Sequence, residues 1–521
     1  MSKETDIETL ELGVKSAKVA SLVALTQVVS TVIGGIALIV LARLLQPEQY
    51  GIYTLAFSTS LIFSVLGTSG IGHYLNKYIP VWTARRKKDE LKKDLGTSFL
   101  TLACICIAAI LVGIAFSGTI SEYVFHSTAY VLLIDLALAS IISTQLMFLS
   151  YNTLIGFRDG TGSAVTYSLG TLAIAAGSIG LVVMGYGVYG AIGGSIAGSI
   201  IGLITGLFFI LKHSGMALFT NDFWARARRI LGFSLPVAGA GIVGTFMNNF
   251  SILYLGVFSS AALIGSFGVA YRIGTLVVAA AGFISSVLIQ MFSSALEGRK
   301  PDEKIGKLWN YSIYFAAVIV SPIAVYLIVM AHPFVTSLFP EYKSSLLYTP
   351  ALSISLLIGI VGSYATSLLI SLGEVKRVLR YALIGGVVQF ALLVPLVPLL
   401  SAYGVIASVY LAGSLVSDYL FLRYVSNNLH VRTKWGGALR AVLASLILAL
   451  ALAPITLLAI SETLQLIAAL AVVVVLYPIL LGVTGSMGAR EIRIVRAIGK
   501  GVPLLGKILD LFGSYVSFFS G

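Results

Sequence analysis

Residues 19–42 read VASLVALTQVVSTVIGGIALIVLA, an uncharged run set between Lys18 and Arg43. A helix rises 1.5 Å per residue, so about 20 mainly apolar residues cross the hydrocarbon of a bilayer. The run is longer than the apolar core of a secretory signal, and no small-residue cleavage site follows it. It reads as a retained first membrane helix. Comparable runs recur at about 51–75, 97–117, 129–155, 163–184, 187–211, 231–257, 261–291, 309–331, 345–372, 381–400, 404–424, 437–460 and 464–484. The pattern predicts an all-α polytopic membrane protein with about fourteen transmembrane helices. The linkers are too short to hold a soluble domain.

Composition agrees. Of the 521 residues, 58% are hydrophobic and 11% charged, and the mean hydropathy is +0.98. A soluble domain carries roughly 25% charged residues, so this chain lacks the material for a water-facing coat. The 53 glycines follow no collagen-like period; small residues suit a bundle whose helices approach closely. Cys104 and Cys106, two apart in one run, point to different sides of a helix and form no metal-ligand pattern.

Charge tests the topology. With a cytoplasmic N-terminus and one crossing per run, 31 of the 34 Lys and Arg residues fall on the cytoplasmic side. Arg43 and Lys343 fall outside, and Arg272 lies within a run. One missed helix would scramble this bias, which follows the positive-inside rule. It puts both termini in the cytoplasm and the protein in the cell membrane. The net charge of +13 is dispersed in short clusters between apolar runs, which argues against nucleic acid. Lys77, Arg85, Arg86, Lys87, Lys88, Lys92 and Lys93, then Arg226, Arg228 and Arg229, read as topogenic charge attracted to anionic membrane lipids. A specific partner is the alternative.

The chain also repeats itself. Gly51-Ile-Tyr-Thr-Leu-Ala-Phe57 and Gly265-Ser-Phe-Gly-Val-Ala-Tyr271 share Gly-x-aromatic-x-x-Ala-aromatic. Tyr186-Gly187-Val188 is echoed by Tyr403-Gly404-Val405. The near-equal offsets predict two six-helix lobes, residues 1–230 and 231–430. Residues 431–521 then hold two additional helices and a tail. Six is even, so the lobes share one orientation, a parallel repeat of the kind found in secondary transporters. The tail sets Arg490, Arg493, Arg496, Lys500 and Lys507 among apolar residues, as an amphipathic helix on the inner leaflet would.

Leu41-Ala-Arg-Leu-Leu-Gln-Pro-Glu-Gln-Tyr-Gly-Ile-Tyr53 resembles the first exterior loop of polysaccharide flippases of the multidrug/oligosaccharidyl-lipid/polysaccharide (MOP) exporter superfamily. Gly265 to Ile273 resembles that family's eighth helix. Leu338-Phe-Pro-Glu-Tyr342 resembles its Phe-Gly-x-x-Tyr loop, with Pro340 in place of Gly. The similarity extends over nearly the whole chain, and its motifs do not name the sugar. The resemblance implies a non-enzymatic flippase that moves a polyprenyl- or dolichyl-(pyro)phosphate-linked oligosaccharide by alternating access, for cell-surface polysaccharide or glycan assembly. It implies a lipid-linked oligosaccharide as substrate, with glycosyltransferases or a polymerase of the same pathway as candidate partners.

Arg272, about ten residues into its run, lies near mid-membrane. An Arg there is costly and should face a cavity or a partner, and its planar fork fits phosphate. It matches a cavity cation implicated in head-group binding in the family's relative for the peptidoglycan precursor. A purely structural ion pair is the alternative. Arg43 joins it as a candidate head-group contact, against simple snorkelling to the interface. Asn248, Asn249 and Gln145 are candidate ligands for sugar hydroxyls, with Gln27, Gln290 and Gln389 as further amides at membrane depth. Each amide alone is equally a link between helices. Asp135 and Asp418, on corresponding runs of the two lobes, are candidate ion-coupling or charge-pair groups, or helix–helix hydrogen-bonding groups. Pro236, Pro322, Pro395, Pro398 and Pro454 can kink their helices.

No catalytic, metal or cofactor motif stands out. Gly501-Val-Pro-Leu-Leu-Gly-Lys-Ile508 mimics a phosphate-binding loop but has Ile where Ser or Thr must reach magnesium, and no strand precedes it. Two other functions stay open: a drug or cation exporter of the same superfamily, and a membrane-embedded polyprenyl-dependent enzyme. The two C-terminal runs weigh against the first, since such exporters usually have about twelve helices. The short exterior loops, with single carboxylates, weigh against the second.

Overall fold

A computed structural model describes residues 2–65, 70–218, 220–274, 292, 301–488, 491–493 and 513–516. All regular elements among the described residues are helical. They fall into two compact units, Met1–Gly265 and Ser266–Gly521.

In the first unit α1 (Ser2–Ser64) is broken at Gln46, whose φ of 60° and ψ of 165° leave helical space just before Pro47. Proline disfavours helical geometry in the residue before it, so the first two apolar runs meet at this corner. Then come α2 (Ile71–Ala84), α3 (Lys88–Val124), α4 (Val131–Gly156), α5 (Gly160–Leu181), α6 (Gly187–His213) and α7 (Phe223–Phe258). The short apolar helix α8 (Ala261–Gly274) begins in this unit.

Hydrocarbon offers no hydrophobic drive between helices, so close packing must hold them. On α6 glycine recurs every fourth residue, at Gly190, Gly194, Gly198, Gly202 and Gly206. A Cβ at Gly194 would collide with the backbone of Gly177 and Ser178 on α5. One at Gly202 would come within 2.5 Å of Met147 Sδ, and one at Gly206 within 2.5 Å of Ser150 Cβ, both on α4. The α5–α6 turn is a π-helical stretch, Val182–Tyr186, in which Gly185 takes a φ of 92°.

The turns of this unit gather at two ends. At one, Ala217 N donates to Lys92 O at 3.0 Å, and His213 Nε2 lies 2.8 Å from Asp159 Oδ2. At the other, His126 Nε2 lies 3.1 Å from Gly256 O, and the Gln49 side chain sits against Gly187. Successive helices therefore run in alternating directions, and the turns with many Lys and Arg share one end, called here the basic end.

Gly51 and Gly265 meet at the opposite end. A Cβ on Gly51 would strike Ala261 O, and a Cβ on Gly265 would strike Pro47 O. The contact is reciprocal: Pro47 and Ala261 stand at the same offset as Gly51 and Gly265. Both glycines therefore allow a backbone approach that a side chain would block.

The second unit holds the rest of α8, then α9 (Pro301–Val329), α10 (Ala331–Leu338), α11 (Ser345–Ser371) and α12 (Val375–Leu400). The short α13 (Ala402–Val405) runs through π-helical Ile406–Gly413 into α14 (Ser414–Asn428), followed by α15 (Trp435–Leu452) and α16 (Glu462–Val483). The last two helices clasp α9 around Val318, Val325, Leu448 and Leu481. Ser321 Oγ meets Ser445 Oγ at 2.6 Å, and Tyr477 Oη donates to Val318 O at 2.8 Å. Phe339 and Tyr342, the aromatic ends of the Phe-Pro-Glu-Tyr loop, are buried.

Ten helices among the described residues are long and apolar enough to cross a bilayer. Thr26–Ser64 and Gly160–His213 each include two of the runs counted in the sequence, and the run at 261–291 is described only to residue 274. Within the first unit α7 packs on α1, α2 and α3.

Candidate functional site

At the basic end of the first unit a polar cluster forms around Asp94 of α3, which is 1% exposed. Glu90 and Asp94, four apart, share a face of α3; Arg226, Arg229 and Phe233 share a face of α7; Tyr74, Tyr78 and Trp82 share a face of α2. Asp94 Oδ2 accepts from Tyr74 Oη at 2.8 Å and from Trp82 Nε1 at 2.9 Å. Asp94 Oδ1 accepts from Arg226 Nη1 and from Arg229 Nη2, each at 2.8 Å. Arg226 also grips Glu90 bidentately, at 2.9 and 3.2 Å, and its Nε donates to Asp222 Oδ2 at 2.6 Å. Burial works against the Arg226 charge, but the hydrogen bonds to Glu90, Asp94 and Asp222 outweigh it and hold the guanidinium above its ordinary value. Three helices are thereby pinned through one buried carboxylate.

Arg226 and Arg229, which the sequence reads as topogenic charge attracted to anionic lipid, also have carboxylate partners within the chain. The acid spacing on α3 and the three-residue spacing of the arginines were the available signal. Neither spacing reveals that the two faces meet across more than a hundred residues.

The other sequence candidates are more dispersed. Arg43 is exposed beside the Gln46 corner, where its carbonyl accepts from Gln46 Nε2 at 2.9 Å. Asn249 is buried and gives its amide to Thr245 O of its own helix at 2.8 Å, while Asn248 beside it is half-buried. Gln145 is half-buried on α4. Asp135 Oδ1 is buried with no hydrogen-bond partner among the described residues. In the second unit Arg272 is half-buried near the end of α8 and has interactions of its own. Asp418 is 8% exposed and is wedged against Gly362 of α11, where a Cβ would collide with its Oδ1; its Oδ2 has no hydrogen-bond partner among the described residues. Gln290, Arg490, Arg496 and residues 500–508 lie outside the described residues.

Residues 40–347 match a family described as polysaccharide biosynthesis protein. The chain belongs to that family. Its fold is that of the MOP superfamily. The lipid II flippase MurJ, in an inward closed conformation, is similar with a TM-score of 0.70 at 16% identity, over 88% of this chain and 97% of that one. An inward-facing multidrug resistance MATE transporter of the MOP superfamily follows at 0.61 and 14%, over 78% and 98%. A MOP superfamily transporter from Pyrococcus furiosus, described by the reverse polarity of its binding pocket, gives 0.51 and 16%, over 80% and 96%. No curated protein sequence matches the chain. The family member is a multi-pass membrane protein.

Proposed function

We propose that the protein is a flippase that moves a polyprenyl- or dolichyl-(pyro)phosphate-linked oligosaccharide across the cell membrane by alternating access. One observation carries the reading: a chain of a polysaccharide biosynthesis family has, over 88% of its length, the fold of a lipid II flippase. The physical need is plain, because each unsatisfied polar group of a phosphorylated sugar costs several kcal/mol in hydrocarbon. In this reading the basic end faces the cytoplasm, as the charge bias requires, and both termini lie there. Arg272 holds the phosphate, with Arg43 meeting it near the exterior; Asn248, Asn249 and Gln145 offer amides to the sugar. Asp135 and Asp418, each with a buried carboxylate oxygen lacking a partner among the described residues, are the groups to bind a coupling proton or cation. Lipid stays in the bilayer while the head group passes between the repeat-related halves, residues 1–230 and 231–430.

The exporter alternative draws on the likeness to MATE transporters, and one experiment separates the two. In cells lacking the gene, lipid-linked oligosaccharide should accumulate out of reach of a membrane-impermeant glycan-modifying reagent, and the wild-type gene should restore access. Unchanged access, together with hypersensitivity to small cationic drugs, would favour the exporter.

A further inference from the structure

Tyr74, Tyr78 and Trp82 form a ladder along α2, with ring centroids 4.5 Å apart for the first pair and 6.2 Å for the second. Phe233 of α7 meets Tyr78 edge-on at 5.9 Å. Cations crowd the rings. Lys77 Nζ lies 4.6 Å from the Phe233 centroid and 5.4 Å from Tyr78, Lys87 Nζ lies 5.9 Å from Trp82, and the Arg229 guanidinium 6.0 Å from it. Tyr78 and Trp82 are half-buried, whereas Lys77 and Lys87 are exposed and the Arg229 side chain is 45% exposed.

A tryptophan in an ordinary interfacial belt keeps its N–H for water and head groups. Trp82 does not. Its N–H is taken by Asp94, the same carboxylate that holds Arg229. Ring and guanidinium are therefore fixed relative to each other, which is how a binding surface is pre-organised. Flat apolar faces suit the C–H faces of a sugar ring, and flanking cations suit phosphate oxygens. No ion pair of Lys77 or Lys87 appears among the described residues, so their charge is not spent on a carboxylate there.

We propose that Tyr78, Trp82, Phe233, Lys77 and Arg229 form a loading site for a phosphorylated saccharide head group at the basic end of the first unit, distinct from Arg272. The proposal rests on the flippase reading and supplies its first step: the glycolipid is captured by sugar and phosphate together before it enters the protein. The exposed parts of the half-buried Tyr78 and Trp82 rings select for the sugar, the cations for the phosphate.

The test is equilibrium binding to purified protein in phosphatidylcholine nanodiscs. Three short-chain probes are compared: a prenyl diphosphate bearing N-acetylglucosamine, the same prenyl diphosphate without sugar, and dihexanoyl phosphatidylglycerol. Wild type should bind the sugar-bearing probe at least five-fold more tightly than the sugar-free one. Tyr78→Leu should abolish that preference, Lys77→Gln should weaken both diphosphates several-fold, and Lys88→Gln should change neither. Both site variants alter partly exposed side chains and should keep the wild-type melting temperature. Equal affinity for all three probes, or no effect of Tyr78→Leu, would reduce the surface to a general anionic-lipid contact and overturn the proposal. Tyr78→Leu acts on the preference between the two diphosphates, whereas Arg272→Ala acts on transfer between leaflets. Sugar-selective binding without any translocation would therefore sink the flippase reading alone, and translocation without the Tyr78 effect would sink the loading site alone.

Discussion

Asp94 shows what one buried carboxylate does at the residue scale. It takes hydrogen bonds from a tyrosine, a tryptophan and two arginines, so no part of its charge is left to solvent. Removing one partner of a buried ion pair typically costs 3–5 kcal/mol, because the remaining charge stays buried without its counter-ion. Asp94→Asn should therefore destabilise the protein by about 3 kcal/mol, seen as a clear drop in melting temperature in detergent. Asp222→Asn removes a partner whose side chain is 45% exposed and should hardly move it, since exposed pairs contribute little. Equal effects of the two substitutions would contradict the account of the cluster. The cluster was only half legible in sequence. The four-residue spacing of Glu90 and Asp94 is visible there, but the meeting of α3 with α7 is a tertiary fact. Positive-inside logic supplied a sufficient reason for Arg226 and Arg229 without any partner.

Among the elements, the α5–α6 hairpin depends on absent side chains. Gly194→Ala drives a Cβ into the α5 backbone, and overpacking of this kind costs roughly 1–3 kcal/mol. Gly180, on the same hairpin, has nothing within 4 Å of its Cβ position, so Gly180→Ala should be neutral or stabilising by up to about 1 kcal/mol. Detergent melting curves of the two variants check this directly, and a melting temperature lowered equally by both would contradict it. The helices themselves were legible, because apolar runs of membrane length leave the backbone few other options. The corner at Gln46–Pro47 was legible as a loop, since proline sets the geometry before it. The π-helical stretches at Val182–Tyr186 and Ile406–Gly413 were not, because no residue type signals an extra residue in a turn.

For the whole molecule the reciprocal Gly51–Gly265 contact bears on the proposed alternating access. In the proposed orientation it lies at the exterior end, where repeat-related segments must separate for the substrate to leave. Gly51→Ala, in a Cys104→Ser/Cys106→Ser background, should wedge that contact open. A reporter cysteine introduced by Ala261→Cys, a half-buried position in the contact, should then react several-fold faster with a membrane-impermeant thiol reagent; an unchanged rate would mean that the contact is no gate. Two short echoes suggest a repeat in the sequence, but they could not show that Gly51 and Gly265 touch, since an offset says nothing about distance. The site is the least legible part: Arg272 stands out through its cost in the membrane, whereas amides at depth look the same whether they link helices or line a cavity. The account as a whole is tested most directly by purified protein in liposomes, following transfer of a fluorescent polyprenyl-diphosphate oligosaccharide between leaflets. Wild type should accelerate transfer well above protein-free liposomes, with at least a ten-fold loss in Arg272→Ala and partial recovery in Arg272→Lys. Transfer no faster than in protein-free liposomes, or undiminished in Arg272→Ala, would contradict it.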